Sequence, residues 1–265
     1  MRLDAARGFV FDVDGTLVHR SGDEARLLPG ALELLSAIRA SGRPLALFTN
    51  GSHISPAGFA EGLRDAGLPI ADEELLTPLV SVQTYLDGRG LDSVMLFGTG
   101  PARDFLASAG VRMADAEDAD AVFVAHADSV DFPTLERAAR AILRGIPLLT
   151  GSYAPAYAGA DGPILSRGAM LTAALAKATG ARPTVVGKPS RAAVRTVVER
   201  LGVPSSEIAV IGDDLTMDVA LGRLGGATTV LVGSGISGLV ELDGIPASRR
   251  PDAVVGSVAE LLGRI

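Results

Sequence analysis

The chain has 265 residues, of which 48% are hydrophobic and 21% charged, and its formal net charge is −7 at pH 7. This acidic balance, with no run of lysine or arginine, argues against nucleic-acid binding and against binding to an anionic membrane surface. The chain has no cysteine and only three histidines, none at helical metal-ligand spacing, which excludes disulfides and thiolate sites and disfavours a zinc centre. Without an apolar stretch of membrane-spanning length or a signal-peptide core, we expect a cytoplasmic protein.

Short apolar runs alternate with amphipathic stretches along the whole chain, a pattern typical of a parallel sheet covered by helices. Strands are predicted at residues 9–13, 44–49, 93–97, 121–125, 147–150, 184–186, 208–211, 228–232 and 253–255. Helices are predicted at residues 32–42, 55–67, 78–86, 101–109, 133–143, 169–179, 191–201, 217–224 and 258–262.

The first predicted strand ends in two aspartates, Asp12 and Asp14, followed by Gly15 and Thr16. Residues two apart on an extended segment point to the same side, so we expect the two carboxylates to project together. They repel and raise each other's pKa unless a cation lies between them. Such a pair suits catalysis, because one carboxylate can attack an electrophile while the other transfers protons, with a divalent metal ion holding both.

Three further polar motifs each follow a predicted strand. They are Thr49-Asn50-Gly51-Ser52, Gly187-Lys188-Pro189-Ser190, and Gly212-Asp213-Asp214 with Asp218 four residues later. Each has a simpler interpretation: a turn, a solvated lysine, and a helix cap. Ligands bind beyond the carboxyl ends of parallel strands, so we expect all four motifs at one edge of one sheet, where they form a single site.

Together the four motifs resemble those of the haloacid dehalogenase (HAD) superfamily of aspartyl-phosphate hydrolases. The Gly-Lys188-Pro-Ser and Thr49-Asn50-Gly-Ser forms resemble its NagD / 4-nitrophenyl phosphatase-like branch. The resemblance covers essentially the whole length. It implies an α/β fold, with a Rossmann-like doubly wound parallel sheet as core and an inserted α/β cap of the C2 type.

The resemblance also implies a covalent route in which Asp12 is the nucleophile and Asp14 the general acid and base. Charge repulsion between the aspartates and a phosphate calls for a hard divalent cation, and Mg²⁺ suits oxygen ligands. The expected Mg²⁺ ligands are Asp12, the Asp14 backbone carbonyl and Asp213. The expected phosphate-binding groups are Lys188, the Thr49 hydroxyl and the backbone amides of Asn50 and Gly51. Asp218 is expected to orient Lys188 or metal-bound water, and Asp214 to act through water.

The long segment between the second and third motifs is predicted to be a separate domain. It contains its own strands and helices, more than a loop needs. We therefore expect a discontinuous catalytic core at residues 1–81 and 183–265, and a cap at residues 82–182 that excludes water and contacts the leaving group.

Residues 151–163 are rich in glycine and proline and carry Tyr153, Tyr157 and Asp161, with Arg167 just beyond. They are either a substrate-reading loop or a surface connector. The chain also departs from the family here, because it has Thr150-Gly-Ser where this branch commonly carries Asn-x-Asp. The departure leaves the substrate open.

The three histidines, His19, His53 and His126, receive structural interpretations. His19 and His53 follow the first two motifs and would be within reach of substrate, but exposed loop positions are favoured for both. A structural role is favoured for His126, which ends a strand of the cap.

The leading hypothesis is a Mg²⁺-dependent phosphatase acting on a small phosphorylated metabolite, without nucleic-acid or membrane partners. A dehalogenase proper is disfavoured because its chemistry has no use for Asp14 or Asp213. A phosphomutase with the same aspartyl phosphate and a non-catalytic regulator that binds phosphorylated metabolites are the alternatives, although a regulator need not retain Asp14. A homodimer through the cap is left open.

Overall fold

The computed structural model describes residues 3–21, 24–159, 162–235 and 243–265. Its strands are β1 (Gly8–Phe11), β2 (Val18–Ser21), β3 (Glu24–Leu27), β4 (Leu45–Phe48), β5 (Leu75–Leu76), β6 (Ser93–Phe97), β7 (Arg112–Met113), β8 (Ala121–Val124), β9 (Leu148–Thr150), β10 (Ala156–Gly159), β11 (Gly162–Leu165), β12 (Thr184–Val185), β13 (Ile208–Gly212), β14 (Thr228–Val232) and β15 (Ala253–Val255). Its helices are α1 (Ala31–Ala40), α2 (Pro56–Asp65), α3 (Pro78–Asp87), α4 (Gly100–Ser108), α5 (Phe132–Leu143), α6 (Arg167–Thr179), α7 (Arg191–Leu201) and α8 (Ala220–Gly225).

The core sheet has six strands in the order β15-β14-β13-β1-β4-β5, and every pair is parallel. Side chains of β1 alternate between its two faces: Phe9 and Phe11 pack in a cluster with α1 and α2, and Val10 packs with α7 and α8. The chain leaves β1 first towards β4 and later returns at β13 on the other side. The predicted doubly wound α/β core is confirmed, and its switch point lies at β1, where ligands bind in such folds.

A second sheet, with the strand order β12-β9-β8-β6-β7, is also parallel. Helices α3 and α4 cover one of its faces, and α5 and α6 cover the other. This sheet is the α/β insertion that the sequence predicts as a cap. The expectation that all four motifs end strands of one sheet is wrong for the third, because the two residues of β12 pair with β9 in the cap.

Helix α3 packs against both units. Leu79 and Val82 lie in a hydrophobic cluster of the cap, whereas Val80 packs against the cluster that contains α7. The predicted division at residues 82 and 182 stays a prediction: α3 extends across the first limit, and β12 of the cap sheet follows the second.

All nine predicted strands are present, but β2, β3, β5, β7, β10 and β11 were not predicted. Strands β5 and β7 have only two residues each, too few to show a period. The stretch interpreted as a loop forms the antiparallel hairpin β10–β11, although Asp161 lies outside the described residues.

The predicted helices are also present, with two differences at the C-terminal side of the core. The helix predicted from residue 217 is preceded by a π turn, Leu215–Val219, that runs into α8. The last predicted helix is a 3-10 turn, Val258–Leu261. Across the described ranges, none of the helices combines the length and the apolarity that crossing a bilayer requires.

Candidate active site

The first, second and fourth motifs lie at the carboxyl ends of three neighbouring strands. Asp12 follows β1, Thr49 follows β4 and Asp213 follows β13. The pairing of β1 with β13 extends one residue further, because the Asp12 amide donates a hydrogen bond of 2.8 Å to the Ile211 carbonyl. The edge of the core sheet therefore brings Asp12 and Asp213 side by side.

Lys188 reaches this edge from the cap side and is only 2% exposed. Its Nζ lies 2.6 Å from Asp12 Oδ1 and 2.7 Å from Asp218 Oδ1. Burial acts to lower the pKa of Lys188, but the two carboxylates outweigh it and raise that pKa above its usual range. The side chain is thus a buried ammonium held between two carboxylates.

The side chain of Asn50 fixes the backbone of Lys188. Its Nδ2 donates to the Lys188 carbonyl at 2.8 Å, and the Lys188 amide donates to its Oδ1 at 2.8 Å. The amide of Gly187 donates to the Gly151 carbonyl at 3.0 Å. These hydrogen bonds explain how a motif that follows a cap strand enters a site built on the core sheet. Sequence reasoning assigned Asn50 only a backbone role and missed this contact.

Asp12, Asp213 and Asp218 form an acidic cluster in which one oxygen of each lies within 4.8 Å of the others. Both oxygens of Asp218 accept hydrogen bonds, Oδ1 from Lys188 and Oδ2 from the Asp214 amide at 3.1 Å. Burial raises the pKa of Asp218, whereas Lys188 acts against this shift. Asp218 therefore contacts the lysine directly, and its supporting role in the reaction stays a prediction.

Asp214 caps the turn that carries Asp218. Its Oδ1 accepts hydrogen bonds from the Thr216 amide at 2.6 Å, the Thr216 hydroxyl at 2.8 Å and the Met217 amide at 3.2 Å. The simpler interpretation of the fourth motif, a helix cap, therefore applies to Asp214.

Asp14 forms an ion pair that the sequence analysis did not foresee. The Arg20 Nε lies 2.5 Å from Asp14 Oδ1. Burial raises the pKa of the Asp14 carboxyl and the neighbouring Asp12 adds to this, while Arg20 opposes it. Arg20 lies on β2, in a hairpin that shows no clear strand pattern, so no sequence signal marked it.

The second motif is folded against the site as a tight turn. Thr49 is buried, and its Oγ1 accepts a hydrogen bond from the Gly51 amide at 3.1 Å. The Gly51 amide, which was expected to bind phosphate, therefore donates to Thr49 in this structure. The Thr49 hydroxyl can still donate its own proton to a ligand, because among the described residues it acts only as an acceptor.

Two segments of the chain match models of known protein families. Residues 9–112 match the model of the haloacid dehalogenase-like hydrolase family, and residues 185–261 match a second, HAD-hydrolase-like model. The chain is 29% identical over 258 residues to ribonucleotide monophosphatase NagD of Escherichia coli, covering 96% of this chain and 98% of that protein. The solved structure of p-nitrophenyl phosphatase from Archaeoglobus fulgidus matches with a TM-score of 0.87 at 28% identity, covering 98% of this chain and 99% of that one.

The chain belongs to the haloacid dehalogenase-like hydrolases, in their NagD-like branch. Another relative is dihydroxyacetone phosphatase of Corynebacterium glutamicum, 28% identical over 260 residues, with 96% of this chain and 90% of that protein covered. The family resemblance predicted from the four motifs is thus confirmed.

The donor set of this hydrolase fits a hard divalent cation. Three carboxylates converge within 4.8 Å, and Lys188 by itself neutralises at most one of their charges. Oxygen atoms are the ligands that Mg²⁺ prefers, and no thiolate or imidazole belongs to the cluster among the residues described.

Among the described residues, the other candidates from the sequence do not belong to the acidic cluster. Tyr153 and Tyr157 are exposed, the latter on β10 opposite Ile164. Arg167 begins α6 and pairs with Asp128.

The histidines lie near the surface. His53 is an exposed loop residue, as expected, whereas His19 is exposed but lies on strand β2 and not in the expected loop. The ring of His53 nevertheless contacts that of His126, with centroids 5.7 Å apart, a contact between core and cap that the sequence did not indicate.

Proposed function

We propose that this phosphoric monoester hydrolase is Mg²⁺-dependent and hydrolyses small phosphorylated metabolites through a covalent aspartyl phosphate on Asp12. One observation carries the proposal: at the carboxyl end of the central strand, Asp12 contacts a buried ammonium and lies beside a second carboxylate, Asp213. The printed names of the relatives, a ribonucleotide monophosphatase and a dihydroxyacetone phosphatase, support phosphate monoesters as the substrate class.

In the first step, a carboxylate oxygen of Asp12 attacks phosphorus, and the bond between phosphorus and the ester oxygen breaks. Asp14 gives its proton to the departing alkoxide, so the leaving group departs as an alcohol. This requires a carboxyl that is protonated more often than a free aspartic acid, and the raised pKa of Asp14 supports that role.

In the second step, water attacks the phosphorus of the aspartyl phosphate. Asp14, now a carboxylate, takes a proton from that water, and the acyl–phosphate bond breaks. Asp12 is restored as a carboxylate and inorganic phosphate leaves. The same residue thus acts as acid and then as base, which returns the site to its starting protonation state.

Phosphoryl transfer needs positioned positive charge more than any other contribution. Lys188 and the Thr49 hydroxyl would bind the phosphoryl oxygens, and the backbone amides of Asn50 and Gly51 would complete the cradle once substrate displaces the internal hydrogen bond of the turn. Asp12, Asp213 and the Asp14 backbone carbonyl would hold Mg²⁺, which when bound supplies a further positive charge beside the phosphoryl group.

The test replaces Asp12 with asparagine and measures phosphate release from 4-nitrophenyl phosphate with Mg²⁺. Because the nucleophile is lost, we expect kcat to fall on the order of a thousandfold or more. Asp104→Asn makes the same chemical change on an exposed face of α4 and is the matched control. Activity of Asp12→Asn within tenfold of the unaltered protein would refute the assignment.

The same assay separates the alternatives. A phosphomutase would convert one phosphate isomer to another with little release of inorganic phosphate. A non-catalytic regulator would bind phosphorylated metabolites without turnover. Release of stoichiometric alcohol and phosphate distinguishes the proposed hydrolase from both.

A further inference from the structure

A tight turn joins Asp14 to the hairpin formed by β2 and β3. The amides of Leu17 and Val18 both donate to the Val13 carbonyl, at 2.9 Å and 3.1 Å. The Gly15 amide donates to the Val18 carbonyl at 2.7 Å. The chain thus turns back within a few residues, and Val18 at the start of β2 forms an isolated bridge with Asp14. The hairpin therefore begins directly beside the residue proposed to protonate the leaving group.

The hairpin is anchored to the core and carries Arg20. Val18 is fully buried in a hydrophobic cluster of the core. The Leu28 amide, just after β3, donates to the Leu17 carbonyl at 2.9 Å, which closes the hairpin onto the turn. Side chains two apart on a strand lie on the same face, so Arg20 projects from the face of β2 that carries Val18. The anchored hairpin thereby brings the Arg20 side chain to Asp14.

Arg20 and Asp14 meet through a single pair of atoms. Arg20 Nε lies 2.5 Å from Asp14 Oδ1. Within the described part of the chain, neither side chain forms another hydrogen bond or ion pair. The Asp14 side chain is 47% exposed and so has room to rotate. The contact with Arg20 therefore sets the direction of the Asp14 carboxyl group and leaves its Oδ2 atom uncommitted.

Neither the buried lysine nor stability accounts for this contact. Lys188 Nζ is already held by Asp12 Oδ1 at 2.6 Å and by Asp218 Oδ1 at 2.7 Å. The Arg20 and Asp14 side chains are 32% and 47% exposed, and ion pairs with such exposure contribute little to folding. A role in the reaction does account for it, because a mobile carboxyl group must be aimed before it can transfer a proton.

We propose that Arg20 is a positioning residue for proton transfer by Asp14: its Nε holds Oδ1 so that Oδ2 faces the ester oxygen of the leaving group. The inference rests on the proposed phosphatase function and adds to it a residue that none of the four motifs contains. Arg20 acts through Asp14 and not on the phosphoryl group, which Lys188 and Thr49 would bind.

A carboxyl group held at one oxygen can still transfer a proton at the other. When Oδ2 of Asp14 carries the proton, Oδ1 remains an acceptor for Arg20. Oδ2 gives that proton to the ester oxygen as the bond between phosphorus and this oxygen breaks. In the second step Asp14 is a carboxylate, and the same contact holds Oδ1 while Oδ2 takes a proton from the attacking water. The contact therefore suits both steps of the proposed mechanism.

The experiment compares two substrates whose leaving groups differ in basicity, phenyl phosphate and 4-nitrophenyl phosphate. For each, kcat/KM is measured with Mg²⁺ as release of inorganic phosphate. This constant covers the reaction only as far as the departure of the leaving group, so the second step does not enter it. The 4-nitrophenolate ion is a weak base and departs without a proton, whereas phenolate is a stronger base and needs one.

The test variants are Arg20→Met and Arg20→Ala, which both remove the Nε–H donor. We expect kcat/KM for phenyl phosphate to fall at least tenfold in each, part of the about 10²–10⁴-fold that a positioned general acid contributes. For 4-nitrophenyl phosphate we expect a fall of less than threefold. Arg26→Met is the matched control, because Arg26 is exposed in the same hairpin, on β3 opposite His19. Both of its kcat/KM values should stay within twofold of those of the unaltered protein.

Equal falls for the two substrates in the Arg20 variants would indicate a structural or substrate-binding role and would overturn the inference. Two unchanged values would overturn it as well. Retained hydrolysis of 4-nitrophenyl phosphate shows that the variants are folded, and circular dichroism checks this independently. The proposed function fails on a different result, namely the absence of 4-nitrophenyl phosphate hydrolysis by the unaltered protein.

Discussion

Replacing Asp218 with asparagine tests whether this residue holds Lys188 in place. Both carboxylate oxygens of Asp218 accept hydrogen bonds, from Lys188 Nζ at 2.7 Å and from the Asp214 amide at 3.1 Å. An asparagine side chain has a single acceptor oxygen. Whichever way the amide turns, one of the two donors would face an NH₂ group.

The magnitude follows from the bond that is lost. A hydrogen bond to a charged group contributes about 1.5–3 kcal/mol, which corresponds to a loss of about 10- to 150-fold in kcat/KM. We expect the lower half of this range, because Asp12 still contacts Lys188 Nζ at 2.6 Å. The melting temperature should fall by several degrees, since a buried ammonium loses one of its two carboxylates.

The assay is kcat/KM for 4-nitrophenyl phosphate with Mg²⁺, together with thermal unfolding. Asp214→Asn is the matched control four residues away, because its Oδ1 accepts from Thr216 and Met217 and asparagine caps equally well. We expect the control to retain kcat/KM within threefold. If Asp218→Asn also stayed within threefold, the reasoning that Asp218 positions Lys188 would be refuted.

Three further outcomes are expected. Treatment with EDTA should stop phosphate release and added Mg²⁺ should restore it; turnover that persists without metal would contradict the magnesium site. Gly15→Ala should weaken Mg²⁺ binding in a calorimetric titration, because Gly15 has φ +84° and a Cβ would lie 2.5 Å from Asp213 Oδ2. Gly42→Ala is the control, because Gly42 has φ +73° and an added Cβ there would meet no atom within 4 Å. It carries the same backbone cost of about 1–2 kcal/mol, and it should leave the Mg²⁺ affinity unaltered. Asn50→Ala removes two hydrogen bonds of 2.8 Å to the Lys188 backbone, which together contribute about 1–3 kcal/mol. Both the melting temperature and kcat/KM should therefore fall. An unchanged melting temperature would count against this contact.

The sequence pattern predicted the nine main strands, a parallel sheet covered by helices and the inserted domain, whereas the doubly wound core was implied by the family resemblance. The strands and helices depend on local information: apolar runs of strand length, helical periodicity and turn residues all lie within about ten residues of one another. The prediction that Asp12 and Asp14 project together used the two-residue repeat of a strand, but β1 ends at Phe11 and both aspartates follow it. The catalytic and metal-binding roles of these residues stay predictions.

Tertiary structure decided which distant residues meet. Only the fold shows that β12 belongs to the cap sheet and that Asn50 holds the backbone of Lys188, 138 positions away. Only the fold pairs Arg20 with Asp14 and brings His126 to His53. Side-chain direction and the packing of one unit on another set these contacts, and neither leaves a periodic trace along the chain. Local sequence pattern therefore determined the strands and helices and the candidate nucleophile Asp12. The residues that contact the site, such as Asn50 at Lys188 and Arg20 at Asp14, were determined by the tertiary fold.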